Sequence, residues 1–308
     1  MAVSKLICVG TSHGLILVFE PSQALKWCLG STQQGEQHGS VSALAINQEC
    51  TKLLAGFAKG HLCLFDLSNG KLLQNIPDAH TPFTAVLHVK WTDSPGLALI
   101  SDSGGSVFEM SIRRTMGMNS NESRCIFSGS RGEVCTIEPL IMGHFLSLPP
   151  VIDTLIVAMA TISKVIVVSL RPHLKVLFSY PLKGSSATLP LLAWQFVIIQ
   201  MPDGSKVIDP VLAFGREFDI YFYQLTHSNQ NQLTFIPLQR MKVSYTLQAL
   251  SWLNSRTLAI IDINETLHVI DVKSQEELDK VDLGRLGLVY ASSHFKAIAT
   301  GGNVSRAM

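Results

Sequence analysis

Charge is scarce in this chain. Asp, Glu, Lys and Arg make up 15% of its 308 residues, against roughly 25% in an ordinary soluble domain. With 47% apolar residues, such a composition excludes disorder and requires that much of the sequence be buried. Neither sign dominates: 24 Lys and Arg face 23 Asp and Glu, a net charge of +1, so no basic footprint for nucleic acid is expected. Six cysteines stand at 8, 28, 50, 63, 125 and 135, but none forms a Cys-x-x-Cys pair and no paired His spacing accompanies them. A structural zinc site therefore has no support.

Further signals are missing. MAVSKLICVG at the start lacks a basic stretch followed by a continuous apolar one, so a signal peptide is not expected. A reducing, cytosolic setting follows, in which the sequons at Asn121, Asn264 and Asn303 go unused. Cys8 and Cys63 lie in apolar runs, ICVG and HLCLF, and read as small buried hydrophobes. One run, VIDTLIVAMATISKVIVVSL at 151–170, has the length of a membrane-spanning helix. Lys164 in its lower half, Asp153 near its start and the crowding of Val and Ile favour two buried strands, LIVAMAT and VIVVSL.

No stretch of ten or more residues carries a capped helical stripe, whereas short β-branched and apolar runs alternate with Gly, Asn, Asp and Ser clusters. The chain reads as all-β. Residues 41–76 parse as a four-stranded meander with strands at 41–46, 52–57, 61–67 and 71–76. The turn glycines repeat: Gly14 to Gly60 is 46 residues and Gly60 to Gly105 is 45. That period is the mark of a β-propeller of WD-type repeats. An aromatic-acidic pair stands where the WD dipeptide would, as Phe19-Glu20, Phe65-Asp66 and Phe108-Glu109.

The same grammar continues in LIVAMATISKVIVVSL, DPVLAFGREFDIYFYQL and RTLAIIDINETLHVIDV, and a half-unit, FKAIATGGNVSRA, follows. The expectation is a single degenerate propeller domain over 1–308, of about seven blades with the last incomplete and an insertion at about 111–150. The first unit is expected to lack its innermost strand. Unpaired strand edges would then make the isolated chain prone to aggregate. Runs such as AVLHV (85–89) and LLAWQFVII (191–199) are expected to be inner strands buried on both faces.

Function in such a fold belongs to loops. No Gly-x-Ser-x-Gly elbow, phosphate-cradling loop or paired carboxylate motif is found among them. Asp102 follows Ser101 directly, which breaks the spacing of a sialidase Asp-box, so it is expected to organise its own turn; His80 is expected to be a structural turn residue. No catalytic, cofactor or metal residue is assigned, and no small-molecule substrate. The 111–150 segment concentrates Arg113, Arg114, Arg124 and Arg131, which are read as a rim for a protein partner. A propeller enzyme or small-molecule binder with a central-channel site is the other class.

Beyond the fold pattern, KLICVGTSHG (5–14), GFAKG (56–60), DSGGSVFE (102–109), ESRCIFSGSRGEVCTIEPL (122–140), LHVIDVKSQEEL (267–278) and SSHFKAIATGGNVS (292–305) resemble the vacuolar protein sorting-associated protein 8 family. Its members distinguish the CORVET endosomal tethering complex. The resemblance implies an N-terminal propeller that engages an early-endosomal Rab GTPase and other tethering subunits, without catalysis or cofactor. It also implies a cytoplasmic protein held peripherally on early or late endosomes through its partners. Family members continue into a helical solenoid and a RING-type zinc module, neither of which is represented in 1–308.

Overall fold

The computed structural model describes residues 1–115, 118–142, 154–200, 203–227 and 232–286. Among these described residues twenty-four strands form six four-stranded antiparallel meanders. Sheet one holds β1 (Ala2–Val3), β2 (Ile7–Gly10), β3 (Ile16–Phe19) and β4 (Leu25–Leu29). Sheet two holds β5 (Val41–Ile46), β6 (Lys52–Phe57), β7 (Leu62–Asp66) and β8 (Leu72–Ile76). In sheet three are β9 (Val86–Trp91), β10 (Leu97–Asp102), β11 (Val107–Thr115) and β12 (Met118–Phe127). Sheet four has β13 (Val134–Pro139), β14 (Ile156–Thr161), β15 (Lys164–Ser169) and β16 (Lys175–Pro181). Sheet five has β17 (Leu191–Gln200), β18 (Lys206–Arg216), β19 (Asp219–His227) and β20 (Leu233–Lys242). Sheet six has β21 (Leu247–Trp252), β22 (Thr257–Asp262), β23 (Thr266–Asp271) and β24 (Glu277–Asp282).

The chain divides into two compact units. The first takes residues 1–134 and the described part of 141–155, with sheets one to three; the second takes 135–140 and the described residues from 156 on, with sheets four to six. In the first unit, alternation along β6 sends Leu53, Ala55 and Phe57 into one core with Cys8, Ile16 and Val18 of sheet one. Leu54 joins a second core with Val86, Ala98, Ile100 and Met110 of sheet three. A two-residue period thus glues sheet two to a neighbour on each of its faces. Each fully buried Leu or Phe contributes about 1.5–3 kcal/mol. Close approach needs small residues: a Cβ on Gly56 would lie 2.3 Å from a Val86 methyl, and one on Gly10 would lie 2.4 Å from a Val41 methyl. In the second unit a core of Val211, Ala213, Phe222, Leu258 and Ile260 joins sheets five and six.

Several expectations need correction. Sheet one does have its innermost strand, in the short β1, whose Ala2 pairs with Cys8. Among the described residues β10 and β14, the second strands of their sheets, are buried along their whole length, whereas β9 is buried only in part and Ile198 of β17 is 58% exposed. Residues 111–115 and 118–127, read as the start of an insertion, belong to the long paired strands β11 and β12. A seven-residue helix, α1 (Thr32–His38), lies between sheets one and two; the Ser31 hydroxyl accepts from the Gln34 N–H at 3.1 Å and caps it. The long apolar run resolves into β14 and β15, as expected, and among the described residues no helix is long and apolar enough to cross a membrane. The expected seventh half-unit lies outside the described residues.

Candidate partner-binding surface

The polar side chains that could have signalled chemistry are spent on turns. Asp102 is fully buried, and its carboxylate accepts from the Ser106 N–H at 3.0 Å and the Thr84 hydroxyl at 3.2 Å. His80 lies 3.1 Å from that hydroxyl through Nδ1 and 2.8 Å from the Gly60 carbonyl through Nε2. Burial pushes the Asp102 carboxyl up, but the hydrogen bonds from His80 and the Ser106 N–H hold it below its usual value. This network ties the β8–β9 connection to the β10–β11 turn and, through Gly60, to sheet two. Both readings, Asp102 as turn organiser and His80 as structural, hold.

Sheet six repeats the device. His268 Nε2 lies 3.3 Å from Asp262 and its Nδ1 contacts Glu277, while its ring stacks on Tyr245 at 3.7 Å. Asp262 accepts from the Asn264 and Thr266 N–H groups at 2.8 and 2.9 Å. Acids at the end of third strands cap the following turn: Asp66 takes the Ser68 N–H and hydroxyl, and Asp271 takes the Lys273 and Ser274 N–H groups. These hydrogen bonds lower the carboxyl pKa of both. Among the described residues no three His, Cys, Asp or Glu side chains are grouped to hold a metal.

The four arginines of the expected rim are only partly brought together. Arg113 on β11 pairs with Ser120, and Arg124 on β12 pairs with Glu109 four residues further along the same hairpin face. Arg113 is exposed. Arg124 is already engaged, in an ion pair with the 5%-exposed Glu109. The Arg114 backbone pairs with Asn119. Arg131, exposed, ends the short 3-10 turn Gly129–Arg131 after β12. Phe127, after which the chain turns towards Arg131, lies seven positions, or roughly 23 Å, along β12 from Ser120, the partner of Arg113.

A second surface escaped sequence reasoning. Sheet five is taller than its neighbours: β17, β18 and β20 have 10, 11 and 10 residues, whereas all four strands of sheet six have six. About four residues, some 13 Å of strand, rise past the end of sheet six. At this step lies an apolar groove of about 410 Å³ over Val211, Phe222 and Trp252, bordered by Ile198, Leu238 and Lys273. On the other side of the same sheet, Tyr221 and Tyr223 meet Phe178 and Tyr180 of β16 with ring centroids 4.8–5.7 Å apart, and Arg240 lies over Tyr221 at 5.3 Å.

Comparison with known proteins agrees with this architecture. A family model described as the Vps8 beta-propeller matches residues 1–308. The chain is 48% identical to the human vacuolar protein sorting-associated protein 8 homolog, 47% to that of mouse and 44% to that of Drosophila melanogaster. The alignments cover 99–100% of the chain, which spans only 21–24% of those relatives' length. Among solved structures, the Cps50 (Swd1) beta-propeller domain from Myceliophteria thermophila superposes with a TM-score of 0.58 at 11% identity, covering 90% of this chain and 83% of that one. With six meanders and a match over its whole length, the chain belongs to the Vps8 beta-propeller family.

Proposed function

We propose that the chain is a non-catalytic binding scaffold in vacuolar and endosomal protein sorting, acting as the propeller of a vesicle-tethering subunit. Its partners are an early-endosomal Rab-type GTPase and other subunits of a CORVET-like tethering complex. It sits on the cytoplasmic face of endosomes through those partners. The single observation that carries this reading is the Vps8 beta-propeller match over residues 1–308, with relatives at 44–48% identity. The use of buried Asp and His side chains as turn ties supports a scaffold over an enzyme.

The exposed arginines Arg113 and Arg131, with Arg114 and Arg124 of the same segment, form the proposed Rab-side rim. The test is retention of the chain on immobilised early-endosomal Rab loaded with GTP or GDP, for the wild type and for Arg113→Glu/Arg131→Glu. Retention on the GTP form, weakened by the double reversal, supports the proposal. Unchanged retention removes the arginines from it, and no retention on either form removes the Rab.

A further inference from the structure

The groove on sheet five exists because two adjacent sheets differ in height. Val197 and Ile199 of β17 continue the apolar face that lower down packs against sheet six, but at their level sheet six has ended in its turns. Phe222, 1% exposed, and Val211, also 1% exposed, form the floor. Trp252 meets Phe222 edge-on at 5.7 Å, and its indole N–H is occupied by the Ala193 carbonyl, so what it offers the groove is apolar ring. Gln239 donates to the Val272 carbonyl at 2.6 Å and ties β20 to the β23–β24 turn at the base. At the mouth Ile198 is 58% exposed and Leu238 42%.

The rim is charged, and of one sign. Arg256 and Lys273 are the charged residues that line the groove, both exposed. The adjacent carboxylate, Asp271, is consumed by Arg256 and by the Lys273 and Ser274 N–H groups. A volume of about 410 Å³ falls within the range of roughly 300–1,000 Å³ found for ligand sites, and suits two or three side chains of a peptide. An apolar floor beneath a cationic rim is complementary to apolar anchors next to carboxylates.

From this we infer that the step between sheets five and six is a docking groove for a short peptide segment of a partner protein, with apolar anchor residues flanked by Asp or Glu. The apolar anchors cover Phe222 and Trp252, and an acidic neighbour meets Lys273. This site is separate from the arginine rim, so its test does not depend on the Rab reading.

The experiment selects a phage-displayed library of random twelve-residue peptides on the 308-residue chain and titrates labelled enriched peptides by fluorescence polarisation. Counter-screens use Leu238→Glu and Lys273→Glu, which change exposed side chains and whose folding is checked by thermal melting. Peptides rich in Leu, Ile, Phe or Trp with Asp or Glu beside them, weakened at least ten-fold by either variant but not by Arg131→Glu, support the groove. Absence of such peptides, enrichment of basic ones, or binding indifferent to Leu238→Glu and Lys273→Glu overturns it. Flotation of the chain with phosphatidylcholine–phosphatidylserine vesicles, lost in the same two variants, would assign the surface to lipid and also overturn it.

Discussion

Trp252 donates its indole N–H to the carbonyl of Ala193 on the neighbouring sheet, at 3.2 Å. The other three tryptophans make the same kind of bond: Trp27 to Leu67 at 3.2 Å, Trp91 to Ala45 at 3.0 Å and Trp194 to Glu138 at 3.2 Å. Each stitches two successive sheets across their packed faces, combining a large apolar area with one directed bond. Trp91→Phe and Trp252→Phe are therefore expected to lower unfolding free energy by about 1–2 kcal/mol each, through the lost bond and the smaller ring. Urea denaturation followed by circular dichroism reads this directly; no shift in midpoint would reduce the bonds to bystanders.

Two glycines share a backbone conformation but not a setting. Gly60 and Gly204 have φ of +90° and +84°. A Cβ at Gly60 would lie 2.6 Å from the Thr84 carbonyl oxygen, whereas at Gly204 nothing lies within 4 Å. Gly204→Ala should cost about 1 kcal/mol for the left-handed backbone alone, and Gly60→Ala distinctly more, about 2–3 kcal/mol, as the clash is added. Equal melting temperatures for the two variants would refute the close approach.

Acid should destabilise the fold through His88. Burial, and secondarily Lys90, pushes its imidazole pKa from 6.5 down to about 4, with Nδ1 2.8 Å from the Ser101 hydroxyl. Between those values the unfolded chain takes up a proton that the native chain refuses, so stability falls as pH drops from about 6.5 to about 4 and this contribution levels off below. Asp102 and Asp262, held below their usual values, add to the loss at lower pH, because the stability they supply disappears as they protonate. His88→Gln should flatten the slope of unfolding free energy above pH 4; an unchanged slope would contradict the assignment.

Thiol reactivity should divide by place in the sheets. Burial raises the Cys8 thiol to about 11 and Cys63 to about 12, whereas Cys28 is exposed on β4. At pH 8 the two buried thiols carry almost no thiolate. Iodoacetamide labelling read by peptide mass spectrometry should modify Cys28 well before Cys8 or Cys63. Similar rates for all three would show that the cores around Cys8 and Cys63 are open.

Among the rim arginines, only Arg124 is expected to matter for folding. Arg124→Glu would set a second carboxylate against the nearly buried Glu109 and cost about 1 kcal/mol or more. Arg113→Glu and Arg131→Glu, both at exposed positions, should stay within about 0.5 kcal/mol of the wild type. Partner binding is thus best tested with the latter pair.

Where burial was strong and alternation regular, the sequence was readable. In sheet two, β5 and β6 fall where Val41–Ile46 and Lys52–Phe57 predict them, and the 151–170 run splits into two strands around Ile162 and Ser163. Reading failed where a strand or helix is not specified by a buried face. SNESR (120–124) in β12 looks like a loop because its polar side chains are largely exposed on an outer strand. Helix α1 contains Gln, Gly and His and no apolar stripe; Gly35 sits so close to the His13 carbonyl that a Cβ would lie 1.9 Å from it. The groove was hidden for the opposite reason. LLAWQFVII reads as uniformly buried, and only the six-residue strands of sheet six reveal that its upper part borders a groove, where Ile198 is exposed.

We propose that this chain serves endosomal sorting by binding a Rab-type GTPase. The most direct test measures retention of the 308-residue chain on an early-endosomal Rab loaded with a non-hydrolysable GTP analogue or with GDP, since the γ-phosphate orders the switch segments a partner would read. Retention is expected on the GTP form, with little on the GDP form. Equal retention on both, or none on either, would contradict it.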